Sequence, residues 1–155
     1  MKLQNSQLLV IRQIDQKLQL FKKLSNNSIP AQGWIKTLRI ALNMSLKQMG
    51  QLSNMSAQGV RDLEMREKDQ TISLKTLKEA GEALNMTLVY GFISNDGSLE
   101  EMIEKRAREI AVKIVKRTAT TMSLEDQANT NERLKQAVDE MTQDIKKEVP
   151  KSLWD

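Results

Sequence analysis

The spacing of apolar residues divides the centre of this chain into four short amphipathic helices. Between positions 34 and 84, apolar side chains recur every three or four residues, and polar side chains fill the intervening positions. This pattern predicts helices at 34–42, 46–52, 57–65 and 74–84. Their predicted core residues are Ile35, Leu38, Leu42, Leu46, Met49, Leu52, Val60, Leu63, Leu74, Leu77, Ala80 and Leu84.

Residues that start and stop helices stand at the matching positions. A serine precedes three of these helices, where its side chain can accept a hydrogen bond from a free backbone N–H: Ser45, Ser56 and Ser73. Asn43 closes the first helix, and Asn54 lies in the turn between the second and third, where the backbone is usually left-handed. Gly50 is small where two helices must approach closely. The order of elements from 45 to 64 is typical of a helix-turn-helix, whose second helix fits the major groove of DNA.

Amphipathic helices also flank this central segment, so the chain is predicted to be all-α. Residues 6–25 have one apolar stripe, and residues 98–147 have two, with cap patterns at Ser98 and, more weakly, at Ser123 and Asp126. The stripe residues are Ile11, Ile14, Leu18 and Phe21, then Met102, Ile103, Ala107, Ile110, Ala111, Ile114 and Val115, then Leu124, Leu134, Val138, Met141 and Ile145. The predicted regions are an N-terminal helical extension at 1–29, a helix-turn-helix domain at 30–95 and a C-terminal helical dimerisation or partner-binding region at 96–155.

Two features suggest contacts beyond these helices. The sequence TLVYGFIS at 87–94 is strand-like and apolar on both faces, which favours a short strand that pairs with its copy in a second subunit. The alternative is a short extended segment that packs on the preceding helix. The predicted dimer interface consists of Leu88, Val89, Tyr90, Phe92 and Ile93. The indole of Trp154 gains by burial, so it either anchors the tail on its own fold or docks on a partner.

The composition argues against an enzyme. The chain has no cysteine and no histidine, which removes thiol nucleophiles, disulfides, the usual zinc sites and histidine acid–base chemistry. Its carboxylates are interleaved with basic residues, and Gly59 and Gly81 lie in predicted helices rather than in a phosphate-binding loop. We therefore expect no catalytic residue, metal or cofactor. The run Leu8–Ile11 is too short for a signal peptide or a membrane span, so we expect a cytoplasmic protein that does not enter a membrane.

The net charge of +4 is unevenly distributed. Residues 1–29 contain five basic residues and one acidic residue, residues 30–95 contain eight and six, and residues 96–155 contain eleven and thirteen. Positive charge therefore lies in the N-terminal half, where a polyanion would bind. A surplus of this size is also compatible with an ordinary solvated surface, so charge alone does not decide for DNA.

The exposed face of the third predicted helix carries side chains that suit base edges. Gln58 can pair bidentately with adenine, Arg61 can reach guanine or a phosphate, and Ala57 can offer only a methyl contact. An isolated helix with this face would be interpreted as solvated, but the four-helix arrangement favours double-stranded DNA, with an inverted repeat as operator. The predicted DNA-binding residues are Ser45, Lys47, Gln48, Ser56, Ala57, Gln58, Arg61, Asp62, Arg66 and Lys68.

Residues 34–86 resemble the Xre, or phage-repressor (lambda-repressor-like), class of helix-turn-helix domains. In that class an arginine of the first helix often pairs with a glutamate at the end of the recognition helix, and Arg39 and Glu64 occupy the matching positions. The resemblance implies that this structural ion pair locks the two helices together. Leu46 stands where the class commonly has a glutamine that contacts a phosphate, so Lys47 or Gln48 would have to make that contact.

A closer resemblance extends over residues 30–155. The phrases GWIKTLRIALNMS, TISLKTLKEAGEALNMTLVYGFI, TMSLEDQ and SLWD are similar to the family called mobile mystery protein A. That family is encoded beside mobile mystery protein B, which contains a Fic domain. The resemblance implies a two-gene, toxin–antitoxin-like module in which this chain is a dimeric autorepressor of transcription. The alternative is a protein-binding antitoxin or accessory protein that restrains the Fic-domain neighbour, with DNA binding secondary.

The spacing of a Fic-inhibitory helix is not found in the sequence. Such a helix has serine or threonine, three further residues, then glutamate followed by glycine or asparagine. Glu79 follows Thr76 one residue too early for this pattern. Any restraint of a Fic-domain partner would therefore use another surface of this chain, or the partner carries its own inhibitory helix.

Overall fold

The computed structural model describes residues 4–123 and 131–155, which contain seven α-helices and no β-strand. For these residues the predicted all-α class is confirmed. The helices are α1 (Gln4–Lys22), α2 (Trp34–Ala41), α3 (Leu46–Ser53), α4 (Ala57–Lys68), α5 (Leu74–Ala83), α6 (Leu99–Ser123) and α7 (Asn131–Glu148), followed by a 3-10 turn at Lys151–Trp154. None of the described helices is both long and apolar enough to cross a bilayer. The predicted stripe residue Leu124 and cap residue Asp126 lie outside the described residues.

The chain forms two compact units. One unit is Asn26–Tyr90, which contains α2 to α5, and the other combines Met1–Ser25 with Gly91–Asp155. The N-terminal helix is therefore not a separate extension, because α1 packs on α6 and α7 and contributes Ile11 to their core. The segments that we treated as two regions on the basis of sequence belong to one unit.

The unit 26–90 is built around a small apolar core. Its fully buried residues come from all four helices: Ile35, Met49, Val60, Leu63, Ala80 and Leu84. The prediction of the core is wrong for three residues, because Leu42, Leu52 and Leu74 are each 52% exposed. Leu42 lies just beyond the end of α2, Leu52 lies in the last turn of α3, and Leu74 is the first residue of α5. At these helix ends the side chain extends past the core.

The other unit is held together by α6, whose apolar stripe is covered within the chain. Ile103, Ala107, Ala111 and Val115 are buried, and α6 packs along α7 and against α1. The small side chains of the two alanines, both 0% exposed, allow neighbouring elements to approach closely. Most of the predicted stripe of α6 is therefore core, so it offers little apolar surface to a second subunit.

The C-terminal tail is anchored by Leu153 rather than by Trp154. Leu153 is 0% exposed and joins the core of α1 and α6, whereas Trp154 remains 51% exposed. Of the two alternatives for the indole, the anchor on its own fold is contradicted by this exposure, and docking on a partner stays a prediction. The 3-10 turn after Pro150 rotates adjacent side chains in different directions, so only one of these two neighbours can point inward.

A carboxylate from α1 caps the N-terminus of α6. Asp15 is 9% exposed and accepts hydrogen bonds from the backbone N–H groups of Leu99 at 2.7 Å and Glu100 at 3.1 Å. Ser98, the cap predicted from sequence, accepts from the N–H of Glu101 at 3.0 Å. Negative charge at this end of a helix is also favoured by the helix dipole. Asp15 therefore ties the first helix to the start of the sixth.

An ion-pair network reinforces the same junction. Glu100 accepts a hydrogen bond from Arg12 at 3.4 Å and lies 3.2 Å from Lys146, which also contacts Glu104 at 2.6 Å. The hydrogen bonds from Arg12 and Lys146 lower the pKa of Glu100. Partial burial opposes the charge of Lys146, but its hydrogen bonds to Glu104 and Glu100 outweigh this effect and raise its pKa.

Residues 87–94 have no regular secondary structure in the single chain. A strand requires a neighbouring strand to satisfy its backbone groups, and the described residues provide none. The exposed fractions are 70% for Val89, 65% for Tyr90 and 81% for Phe92. The alternative, an extended segment covered by its own fold, therefore does not hold for these three side chains, and pairing with a second subunit stays a prediction.

Candidate nucleic-acid interface

A tight turn sets the angle between α3 and α4. Asn54 adopts the left-handed conformation expected from the sequence, with φ of 54°, and the N–H of Met55 donates to the carbonyl of Gly50 at 2.9 Å. A side chain at Gly50 would collide with the carbonyl oxygen of Met55. The glycine therefore makes room for the backbone of the turn, rather than for a neighbouring helix.

Each helix of this pair begins with the serine predicted from sequence. Ser45 accepts from the N–H of Gln48 at 3.2 Å, and the side chain of Gln48 accepts from the N–H of Ser45 at 2.8 Å, which completes a capping box. Ser56 accepts from the N–H of Gly59 at 3.0 Å. These caps fix the first turns of α3 and α4, where four of the predicted DNA-binding side chains lie: Lys47, Gln48, Ala57 and Gln58.

The inner face of α4 is fixed by apolar residues and by a largely buried ion pair. Val60 and Leu63 are each 1% exposed. Arg39 of α2 donates to both carboxylate oxygens of Glu64, at 2.6 and 3.1 Å, and to the carbonyl of Met44 at 3.0 Å. The side chains of this pair are 12% and 6% exposed, and hydrogen bonding to Glu64 raises the pKa of Arg39. The two residues of the predicted ion pair are thus brought together.

A second glutamate of α4, which was not predicted, holds the start of α2. Glu67 is 9% exposed and accepts from the backbone N–H groups of Trp34 at 2.8 Å and Ile35 at 2.9 Å. The residue before this helix is Gly33, with φ of 83°, and a Cβ there would lie 2.8 Å from a carboxylate oxygen of Glu67. Gly33 is the feature of the sequence that could have indicated this contact. A glycine has no side chain to cap the helix, so the free backbone N–H groups at the start of α2 need an acceptor from another part of the chain.

All ten predicted DNA-binding side chains are exposed, and they lie on α3, on α4 and at the residues that cap them: Ser45, Lys47, Gln48, Ser56, Ala57, Gln58, Arg61, Asp62, Arg66 and Lys68. The caps use acceptor atoms of Ser45, Gln48 and Ser56. The hydroxyl hydrogens and the amide N–H groups of these residues remain available as donors, which is what a phosphate oxygen requires.

Because two acidic residues are buried, the surface of this unit is more basic than its amino-acid composition suggests. The unit 26–90 contains eight basic and six acidic residues. Glu64 and Glu67 are buried and engaged by α2, and Arg39 is paired with Glu64. Seven basic side chains then remain, Lys36, Lys47, Arg61, Arg66, Lys68, Lys75 and Lys78, against four acidic ones, Asp62, Asp69, Glu79 and Glu82. Four of the seven belong to α3 and α4.

Two members of the predicted set contact each other on the outer face of α4. The amide nitrogen of Gln58 donates to Asp62 at 2.8 Å, one helical turn apart. Within the described residues, no three histidine, cysteine, aspartate or glutamate side chains are grouped so as to hold a metal ion.

No protein family, curated protein or solved structure matches this chain.

Proposed function

We propose that the unit 26–90 is an Xre-class helix-turn-helix domain and that the chain is a sequence-specific DNA-binding regulator of transcription. One observation carries this proposal: α4 is fixed along its inner face and presents only polar or small side chains on its first outward turn. Val60, Leu63, Glu64 and Glu67 are all buried, so the helix is held at both ends. A rigidly held helix with an exposed polar face is what direct readout of base edges requires.

The exposed side chains suit distinct parts of a duplex. Gln58 and Arg61 lie in the first half of α4 and would contact base edges, adenine in the first case and guanine in the second. Lys47, Arg66 and Lys68 flank them and would contact phosphates, which position a protein without reading sequence. Binding by such cations weakens steeply as salt rises, because counterions released from DNA drive the association.

The wider role follows from the resemblance of residues 30–155 to the mobile mystery protein A family. We propose that the chain acts in the cytoplasm as a dimeric autorepressor within a two-gene module whose second product has a Fic domain. The alternative is that the chain restrains that product directly and binds DNA only secondarily. DNA binding can be measured without the partner, so the two roles are experimentally separable.

The test is a selection from randomised duplexes with the purified chain, followed by affinity measurements on the selected sequence. Gln58→Ala and Arg61→Ala should each lose about 1–3 kcal/mol of specific binding, the usual scale for a bidentate base contact. Lys78→Ala is the matched control, because Lys78 is an exposed cation of α5 and lies outside the predicted DNA-binding set. Neither α4 variant should lower the melting temperature, since both side chains are exposed.

Two results would contradict this assignment. An equal loss on selected and random duplexes would make Gln58 and Arg61 phosphate contacts. An absence of any selected sequence, together with tight binding of the chain to the purified Fic-domain neighbour, would favour the alternative role.

A further inference from the structure

The hydrogen bond between Gln58 and Asp62 restricts the orientation of the glutamine side-chain amide. A free glutamine amide can rotate and offer either its oxygen or its nitrogen to a given atom. Here the nitrogen donates to an oxygen of Asp62 at 2.8 Å, and both side chains are exposed on the outer face of α4. A carboxylate only accepts hydrogen bonds, so Asp62 selects the orientation in which the amide nitrogen faces it.

This orientation leaves one donor and one acceptor on Gln58. The amide has two N–H groups and one carbonyl oxygen, and Asp62 uses one N–H. Adenine in the major groove presents one acceptor, N7, and one donor, the N6 amine. The remaining N–H and oxygen of Gln58 match that pair, with no hydrogen-bonding group of the amide left over.

Asp62 by itself is poorly suited to DNA. Its negative charge lies on the face of α4 that also carries Arg61, and it would repel phosphates. Its only favourable base partners would be the amino groups of cytosine and adenine, and the hydrogen bond to Gln58 already occupies one of its oxygens. A carboxylate at this position needs a role that outweighs the repulsion.

We propose that Asp62 is a positioning residue that orients Gln58, so that the two side chains form a single reader of one adenine. This inference rests on the proposed DNA-binding function and deepens it by assigning the base. It differs from the sequence-based prediction, which placed Asp62 among the direct contacts.

Two substitutions separate the charge of Asp62 from its hydrogen bond. Asp62→Asn and Asp62→Ala both remove the negative charge, but only the asparagine retains a carbonyl oxygen that can accept from Gln58. Both should therefore bind random duplexes more tightly than the native chain. Only Asp62→Ala should lose base preference. Asp69→Ala is the matched control, because Asp69 is an exposed carboxylate just beyond the end of α4 and should change affinity without changing preference.

The experiment uses the full chain and the duplex selected by the native protein. Affinity is measured for that duplex and for two altered forms, in which the contacted adenine is replaced by guanine or by 7-deazaadenine, which lacks the N7 acceptor. The native chain should discriminate by about tenfold or more, the scale of one bidentate contact. Asp62→Ala should fall below about threefold, close to Gln58→Ala, and the double variant should be no worse than Gln58→Ala alone. Asp62→Asn should keep most of the discrimination.

The outcomes distinguish this inference from the function on which it rests. If the native chain selects no sequence, the proposed function fails first, and the inference fails with it. If a sequence is selected and Asp62→Ala still discriminates adenine as the native chain does, the positioning role is overturned. A loss of preference for a cytosine in Asp62→Ala, with adenine discrimination intact, would also overturn it, because Asp62 would then read a base directly.

Discussion

Two glycines near the turn between α3 and α4 have opposite surroundings. A Cβ at Gly50 would collide with the carbonyl oxygen of Met55, which belongs to the backbone and cannot rotate away. A Cβ at Gly59 would meet Met55 and Ser56 side-chain atoms at 3.4 Å, an ordinary contact. The same substitution should therefore have opposite effects at the two positions.

We predict that Gly50→Ala destabilises the unit 26–90 and that Gly59→Ala stabilises it. The first change forces the turn to move, at a cost of about 1–3 kcal/mol as for other overpacked sites. The second replaces glycine by alanine inside a helix and should gain up to about 1 kcal/mol. Urea denaturation followed by Trp34 fluorescence, in a Trp154→Phe background, measures both changes. Equal effects of the two substitutions would contradict the geometry of the turn.

The buried ion pair gives a second prediction at this scale. Glu64→Gln leaves the guanidinium of Arg39, whose side chain is 12% exposed, without a charged partner. Breaking a buried pair costs about 3–5 kcal/mol, whereas an exposed pair contributes under about 1 kcal/mol. Glu82→Gln is the control, because its pair with Lys78 is 3.9 Å long and both side chains are at least 60% exposed. Chemical denaturation in which Glu64→Gln shifts stability no more than Glu82→Gln would show that the pair is not structural.

Sequence reasoning found Arg39 and Glu64 through their positions in a known class, but it did not find Glu67. The contact from Glu67 to the start of α2 joins residues 32 and 33 positions apart, and no local pattern connects them. Gly33 was a sign that this helix lacked a capping side chain. The identity of the acceptor depends on how α2 and α4 pack, which is tertiary information.

At the scale of elements, the central helices were predicted closely because their ends are marked locally. Ser45, Ser56 and Ser73 cap α3, α4 and α5, and Asn54 adopts the left-handed conformation of the turn. Periodicity alone was less reliable at helix ends, where Leu42 was assigned to the core and is exposed. A stripe identifies the buried face of a helix, but it does not show how far along the helix the core extends.

The cap of α6 provides a prediction at this scale. Asp15→Ala removes a largely buried acceptor of two backbone N–H groups and should destabilise its unit by about 1.5–3 kcal/mol, the scale of hydrogen bonds to a charged group. Ser98→Ala removes the local cap of the same helix and should cost about 1 kcal/mol. Trp154 fluorescence in a Trp34→Phe background reports on this unit. A smaller effect for Asp15→Ala than for Ser98→Ala would show that the contact with α1 does not stabilise α6.

At the scale of the molecule, the sequence indicated three regions and the structure has two compact units. The difference arises from long-range contacts, because Asp15 caps a helix that begins 84 residues later and Ile11 lies in the same core as Leu153. Amphipathic stripes show that a helix needs a partner, but not which helix is the partner. For the same reason, the stripe of α6 could not be assigned to a dimer interface or to the core of its own chain from sequence.

The apolar segment that follows α5 is the feature of the molecule that favours a dimer. Val89, Tyr90 and Phe92 are 65–81% exposed in the single chain, and their backbone belongs to no helix or strand. A second copy could cover these side chains and satisfy the free backbone groups, since two such segments related by a two-fold axis would form an antiparallel pair. An inverted repeat requires two copies of α4 about one helical turn of DNA apart, and a dimer would supply the second copy.

We therefore predict a homodimer that depends on this segment and not on the buried stripe of α6. Light scattering at micromolar concentration should give twice the chain mass of 17.7 kDa. Val89→Asp combined with Phe92→Asp should yield monomers that bind an inverted repeat far more weakly, because a charge on each exposed apolar side chain opposes its burial against a second copy. Ile114→Asp is the control, since this side chain is 43% exposed on α6 and should leave the dimer intact. A native chain that is monomeric at this concentration would contradict the prediction, whatever the variants do, and would restrict each protein molecule to a single half-site.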